Sequence, residues 1–185
     1  MKKLVIHPKD DSTLFLNKAY ENLDDVTLVQ GNVSKGQLRD MIQSHDQVMM
    51  MGHGSPRGLF SVGQFDGSYM SLIVDDSLSE VLSEKENSVF IWCNADQYVN
   101  YNELRGFYTG MFISEVAEAY LMGLGGTTQR EVDESNDSFV ETIGAYASRG
   151  PRLMYAAARS SVLKYGQLAS RNPVARYNRQ RLYLQ

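Results

Sequence analysis

The sequence predicts a three-layer α/β/α sandwich built on a mainly parallel sheet. Three observations carry that expectation. Short apolar runs recur at residues 4–6, 26–29, 48–51 and 88–92, each bounded by polar or turn-forming residues, as strands buried on both faces are. Between them lie segments that open on helix-cap residues and place apolar side chains at helical spacing. The resulting βαβαβ order, with short connections, belongs to a parallel sheet covered by helices.

Taken in order, Leu4-Val5-Ile6 is the first strand, closed by His7-Pro8. Asp10-Asp11-Ser12 offers a cap for a helix carrying Leu14, Leu16, Ala19 and Tyr20. Val26-Thr27-Leu28-Val29 is the second strand, and Ser34 caps a helix whose Leu38, Met41, Ile42 and His45 fall on one face. The third strand is residues 48–51. The Pro- and Gly-rich stretch 54–67 interrupts the rhythm and predicts a loop or small hairpin, with a further short strand over 69–74. Asp75-Asp76-Ser77 opens a helix that buries Leu78, Val81 and Leu82, and the strand ending at Cys93 follows.

Beyond Cys93 the polar, Tyr- and Asn-rich stretch to Gly110 shows no apolar period and predicts a long loop, the kind that carries function. A helix over 112–122 is expected to bury Val116, Ala117, Tyr120 and Leu121. The glycines at 123, 125 and 126 then stop it and lead to a fifth short strand. Ser138-Phe139-Val140-Glu141 has capping-box spacing, with Ser135 an alternative start, and Phe139, Ile143, Tyr146 and Ala147 form the buried face of that helix. A helix starting at Pro151 runs to Gly166, and residues 181–184 form a last edge strand.

At 185 residues the chain suits one domain, residues 1–185, able to bury roughly 70% of its unfolded surface. A net charge of −4 and tyrosines scattered without a basic stripe give no reason to expect nucleic-acid binding. One cysteine excludes an internal disulfide framework. The N-terminal apolar run is too short for a signal peptide, and no run approaches the roughly 20 residues of a membrane span. A soluble, cytoplasmic protein is therefore expected.

The chemistry concentrates at two strand ends. Val48-Met49-Met50-Met51-Gly52-His53-Gly54-Ser55-Pro56 stops at His-Gly, and Ser88-Val89-Phe90-Ile91-Trp92-Cys93 stops at the only cysteine. Open parallel sheets bind ligands beyond the carboxyl ends of their strands, and neighbouring strands lie about 5 Å apart. A thiol there is activated by an imidazole, and the backbone N–H groups of Gly54 and Cys93 suit an oxyanion. His7 and His45 are poorer candidates: His45 ends a helix, and His7 lacks the adjacent glycine that opens backbone access. A small buried cysteine and a plain His-Gly turn are the competing explanations.

Two apolar blocks, one ending in His-Gly and the next in Cys, resemble the caspase-like (clan CD) cysteine peptidases, which include caspases, legumains, gingipains, separases and CHAT-domain proteases. The resemblance spans the first strand to the segment after Cys93 and implies a caspase-hemoglobinase fold. Carried over by position, it makes His53 the general acid or base, Cys93 the nucleophile and Gly54 part of the oxyanion hole. The family usually has Ala or Gly before the cysteine, and the caspase signature has Gly after it. Here Trp92 precedes it and Asn94-Ala95-Asp96 follows. Two functions therefore compete: a cysteine endopeptidase, or an inactive caspase-like scaffold or partner-binding module whose thiol is buried and inert. A flavodoxin-like binder is weaker, because no loop after a strand forms a Gly-rich phosphate cradle.

Members of this group cleave after one particular residue type. A basic P1 residue is the expected preference, with Asp96 the expected pocket carboxylate ahead of Asp66 and Asp133. The expected partner is a protein or peptide substrate. No cofactor or metal is implied, and the oligomeric state is not encoded in any motif.

Overall fold

A computed structural model describes residues 1–61 and 71–185. The chain runs β1 (Lys3–Ile6), a 3-10 helix (Asp11–Ala19), β2 (Val26–Val29), α1 (Lys35–Ser44) and β3 (Gln47–Met51). A small hairpin follows, β4 (Gly54–Ser55) and β5 (Gly58–Phe60), joined by β6 (Leu72–Val74). Next come a 3-10 turn (Asp76–Leu78), α2 (Ser79–Ser83), β7 (Ser88–Ile91), α3 (Ala95–Tyr101) and β8 (Phe107–Thr109). The chain closes with α4 (Val116–Leu121), α5 (Gln129–Gly144), a 3-10 turn (Ala147–Arg149), α6 (Pro151–Arg159), α7 (Lys164–Ala169), α8 (Pro173–Arg179) and β9 (Leu182–Leu184).

The main sheet has the order β2-β1-β3-β7-β8-β9. All neighbours are parallel except β9, which returns antiparallel to β8. β3 and β7 are direct neighbours in parallel register, Met51 opposite Ile91. The period-2 alternation of a strand splits the apolar runs between two cores. Val5, Met49, Met51, Val89, Ile91 and Phe107 face the 3-10 helix, α5, α6, α7 and α8. Leu4, Ile6, Val48, Met50, Phe90 and Trp92 face α1, α2, α3 and the small sheet. Helices thus cover both faces of a six-stranded, mostly parallel sheet, as the apolar runs predict. Among the described residues no helix is long and apolar enough to cross a membrane.

Several elements differ from the expectation, each for a local reason. The stretch after Cys93 is not a bare loop. It holds α3, whose Ala95, Tyr98 and Val99 are buried at i, i+3 and i+4 within a polar composition, and β8, only three residues long. No strand follows the glycines at 123–126. Instead Thr128 and Glu131 form a capping box that starts α5 ten residues before Ser138, and Ser138 is a buried mid-helix residue. The helix expected over 112–122 is only α4, with Ala119 its buried residue, while Tyr120 and Leu121 stand exposed at 58% and 78%. Residues 160–163 break the expected run from Pro151 to Gly166 into α6 and α7. The helix after Asp10 is of 3-10 type and buries Thr13, Leu16 and Ala19, leaving Leu14 exposed. Residues 69 and 70 of the expected strand over 69–74 lie outside the described residues, and Leu72–Val74 is β6.

Candidate active site

β3 and β7 deliver His53 and Cys93 to the carboxyl edge of the sheet on the same side. His53 shares the parity of Met49 and Met51, and Cys93 that of Val89 and Ile91. The two residues line one small cavity together with Gly52, Thr13, Phe15 and Phe112. Its volume is about 20 Å³, room for one water at most, so any larger ligand must open it. The backbone leaves β3 through Gly52 at φ +140°, a conformation that glycine adopts at little cost.

Trp92 goes the other way, as alternation along a strand requires. Its indole is buried against Phe90 and Tyr98, with ring centroids 5.7 Å and 5.5 Å away, and its Nε1 donates to the Ser55 carbonyl at 3.1 Å. It therefore does not crowd the thiol. Gly54 supports it from beneath: a Cβ at that position would stand 2.2 Å from the indole Cδ1 and 2.8 Å from the Gly58 carbonyl oxygen. Just past Cys93 the chain turns through Asn94 in the left-handed conformation, φ +65°, which asparagine tolerates better than most residues.

His53 is oriented by two residues of the segment after β1. Its Nε2 lies 2.6 Å from the Ser12 hydroxyl oxygen, and that hydroxyl donates to Asp10 Oδ1 at 2.5 Å. A serine that gives its one proton to a carboxylate can only accept from the ring. Neutral His53 then carries its proton on Nε2 and leaves Nδ1 as the basic nitrogen. Burial works against ionisation of Asp10, but hydrogen bonds from the Ser12 hydroxyl and amide, and the charge of His53, hold its carboxyl below the usual range. Sequence reasoning missed this relay because Asp10 already has a complete local role, capping the 3-10 helix by accepting from the Ser12 amide.

The thiol of Cys93 is engaged by the segment that follows β8. It donates to the Phe112 carbonyl at 3.2 Å and lies 3.7 Å from Glu118 Oε1. Burial first, and then the negative charge of Glu118, push it up to about 12. Glu118 is pinned there, because its Oε2 accepts from the Ser114 amide, the Ser114 hydroxyl and the Glu115 amide. The segment that carries Phe112 is pinned as well: buried Asn178 brackets Ile113, accepting from its amide and donating to its carbonyl, both at 2.8 Å. The Asn178 contacts span distant parts of the chain and leave no local pattern, whereas Glu118 holds Ser114 and Glu115 within one helical turn.

The other candidates are dispersed. Asp96 does not line the His53–Cys93 cavity. It sits in the first turn of α3 near Tyr108, where burial raises its pKa, and the tight turn at Asn94 separates it from the thiol. Asp66 lies outside the described residues. Asp133 lies on α5 in a larger groove beside the cavity. His7 is buried at the end of β1, bonded to Tyr20 and Thr13 and depressed to about 4 by burial. His45 caps α1 and contacts Thr27. Compared with family models, curated proteins and solved structures, the chain finds no match.

Proposed function

We propose that this chain is a caspase-like cysteine peptidase, with His53 as base and Cys93 as nucleophile. The observation that supports it is the placement of both residues on one face, at the ends of adjacent parallel strands, lining one cavity. In the reaction His53 Nδ1 takes the thiol proton as Cys93 Sγ bonds to the substrate carbonyl carbon. The oxygen becomes an oxyanion, received by the backbone N–H groups of Gly54 and Cys93. The C–N bond then breaks, the imidazolium returns the proton to the leaving amine, and water hydrolyses the thioester. The thiol is protonated at rest, so an entering peptide has to draw it from the Phe112 carbonyl and Glu118 towards His53.

The second reading is an inactive caspase-like scaffold, and a specific observation favours it: the thiol is donated to a carbonyl and held at about 12. Fluorogenic peptides varied only at P1 separate the two. Cleavage that vanishes in Cys93→Ala and in His53→Ala supports the peptidase; no cleavage of any peptide by the intact chain supports the scaffold.

A further inference from the structure

At the amino edge of the main sheet, opposite the His53–Cys93 cavity, lies a second cavity of about 320 Å³. Its walls are the residues that lead into β7 and β8, the start of α6 and the end of β9. Asn87, on its wall, precedes β7, whereas Cys93 follows it. Those two positions are about 20 Å apart along an extended strand, so the two cavities are separate. The far rim is held by a reciprocal backbone pair between Gly106 and Gln185, 3.1 Å in each direction.

Three arginines line this cavity, Arg105, Arg149 and Arg152, against one acidic side chain, Glu86. That is a local excess of positive charge in a chain whose net charge is −4. Glu86 meets Arg105 at 3.5 Å, and the two side chains are 81% and 64% exposed, so the pair is weak and easily parted. Among the described residues the side chains of Arg149 and Arg152 have no hydrogen-bonding or ionic partner. The end of α6 adds to these cations. Its cap is Gly150, which supplies no side-chain acceptor to the first-turn amides, and a helix start favours negative charge. Guanidinium and amide groups are all donors, so the fitting ligand is an anion with several acceptor oxygens.

We propose that this cavity binds a small phosphate-bearing anion, a diphosphate or a phosphomonoester. The three cations come from different places in the fold: the turn before β8, the 3-10 turn at residues 147–149 and the first turn of α6. A phosphate group presents three strong acceptor oxygens and can be met from several sides, whereas a carboxylate has two and pairs best with one fork. All three cations are arginine and none is lysine, which suits forked bonds to phosphate oxygens. The volume is at the lower end for small-ligand pockets and matches one or two phosphate groups. This binding depends on neither the peptidase nor the scaffold reading, because no residue of the His53–Cys93 cavity takes part.

The test is isothermal titration calorimetry of the full chain with pyrophosphate, at a constant ionic strength of about 0.15 M and without divalent metal. Pyrophosphate is expected to bind with a Kd below about 1 mM, and about tenfold or more tightly than sulfate or citrate. Arg149→Gln and Arg152→Gln, both at exposed positions, should each weaken it about tenfold, the worth of one charge-assisted contact. Melting curves check that each variant stays folded, and either one alone keeps the test open. Glu86→Gln should tighten binding by removing the competing carboxylate. Arg57→Gln, in the exposed turn between β4 and β5, changes the net charge equally and should leave the Kd unchanged. No binding, a Kd unchanged in both cavity variants, or equal weakening by Arg57→Gln would overturn the proposal. So would equal affinity for sulfate, which means an adventitious ion only, or for citrate, which means a carboxylate site. A phosphoserine peptide that binds more tightly than pyrophosphate would overturn the assignment to a small ligand.

Discussion

Replacing Glu118 with Gln isolates the feature that keeps the thiol quiet. Cys93 is pushed up to about 12 from an ordinary value of 9.0, so at pH 8 its thiolate fraction is about a thousandfold below that of an unperturbed cysteine. Alkylation requires the thiolate, and iodoacetamide should therefore modify native Cys93 about 10³-fold more slowly than the unfolded chain. Glutamine preserves an acceptor for the amides of Ser114 and Glu115 and turns an N–H₂ group towards the sulfur. Losing the carboxylate charge should raise the rate by about tenfold, one pKa unit, while burial, the larger cause, keeps the rest of the suppression. Intact mass after timed quenching reads both rates, and a melting curve confirms that the variant stays folded. Native protein alkylated as fast as unfolded chain, or Glu118→Gln with an unchanged rate, would refute this account of the thiol.

Acid should destabilise the fold through His7. Its folded pKa is about 4 against 6.5 unfolded, so between those values the unfolded chain binds a proton that the native state refuses. The stability attributable to this site is complete above pH 6.5 and falls with pH towards 4 by about 3 kcal/mol, and denaturant curves of His7→Gln should be correspondingly flatter over that window. Gly54→Ala should cost about 1–3 kcal/mol by overpacking, since the new Cβ would meet the Trp92 indole at 2.2 Å; an unchanged melting temperature would contradict the packing. Ser12→Ala should leave the fold intact but release His53 from the Asp10 relay. Nitrogen NMR of the imidazole should then show a mixed tautomer where the parent shows mainly Nε2–H.

How far these features were legible follows from their range along the chain. The sheet and the placement of His53 and Cys93 at neighbouring strand ends were legible because each strand is a local apolar run, and parallel neighbours bring their ends to one edge. The side taken by Trp92 was left open by the sequence; alternation fixes it once the strand is placed. α3 and β8 were hidden because their few buried residues, Ala95, Tyr98, Val99 and Phe107, are diluted by polar neighbours. The start of α5 was misplaced because two capping patterns compete, and only burial of Ser138 shows that the second lies inside the helix. Glu118 reaches Cys93, and Asn136 and Asn178 reach Ser114 and Ile113, from elements far along the chain, and no spacing encodes such contacts.

The most direct measurement of the central claim is the rate at which a peptidyl acyloxymethyl ketone modifies Cys93, followed by intact mass and peptide mapping. A working dyad predicts saturable, single-site labelling of Cys93 that exceeds labelling by small alkylators and falls at least about 10²-fold in His53→Ala, the usual contribution of a general base. Labelling of equal rate in the parent and His53→Ala proteins, or none in either while iodoacetamide still reaches the unfolded thiol, would contradict it.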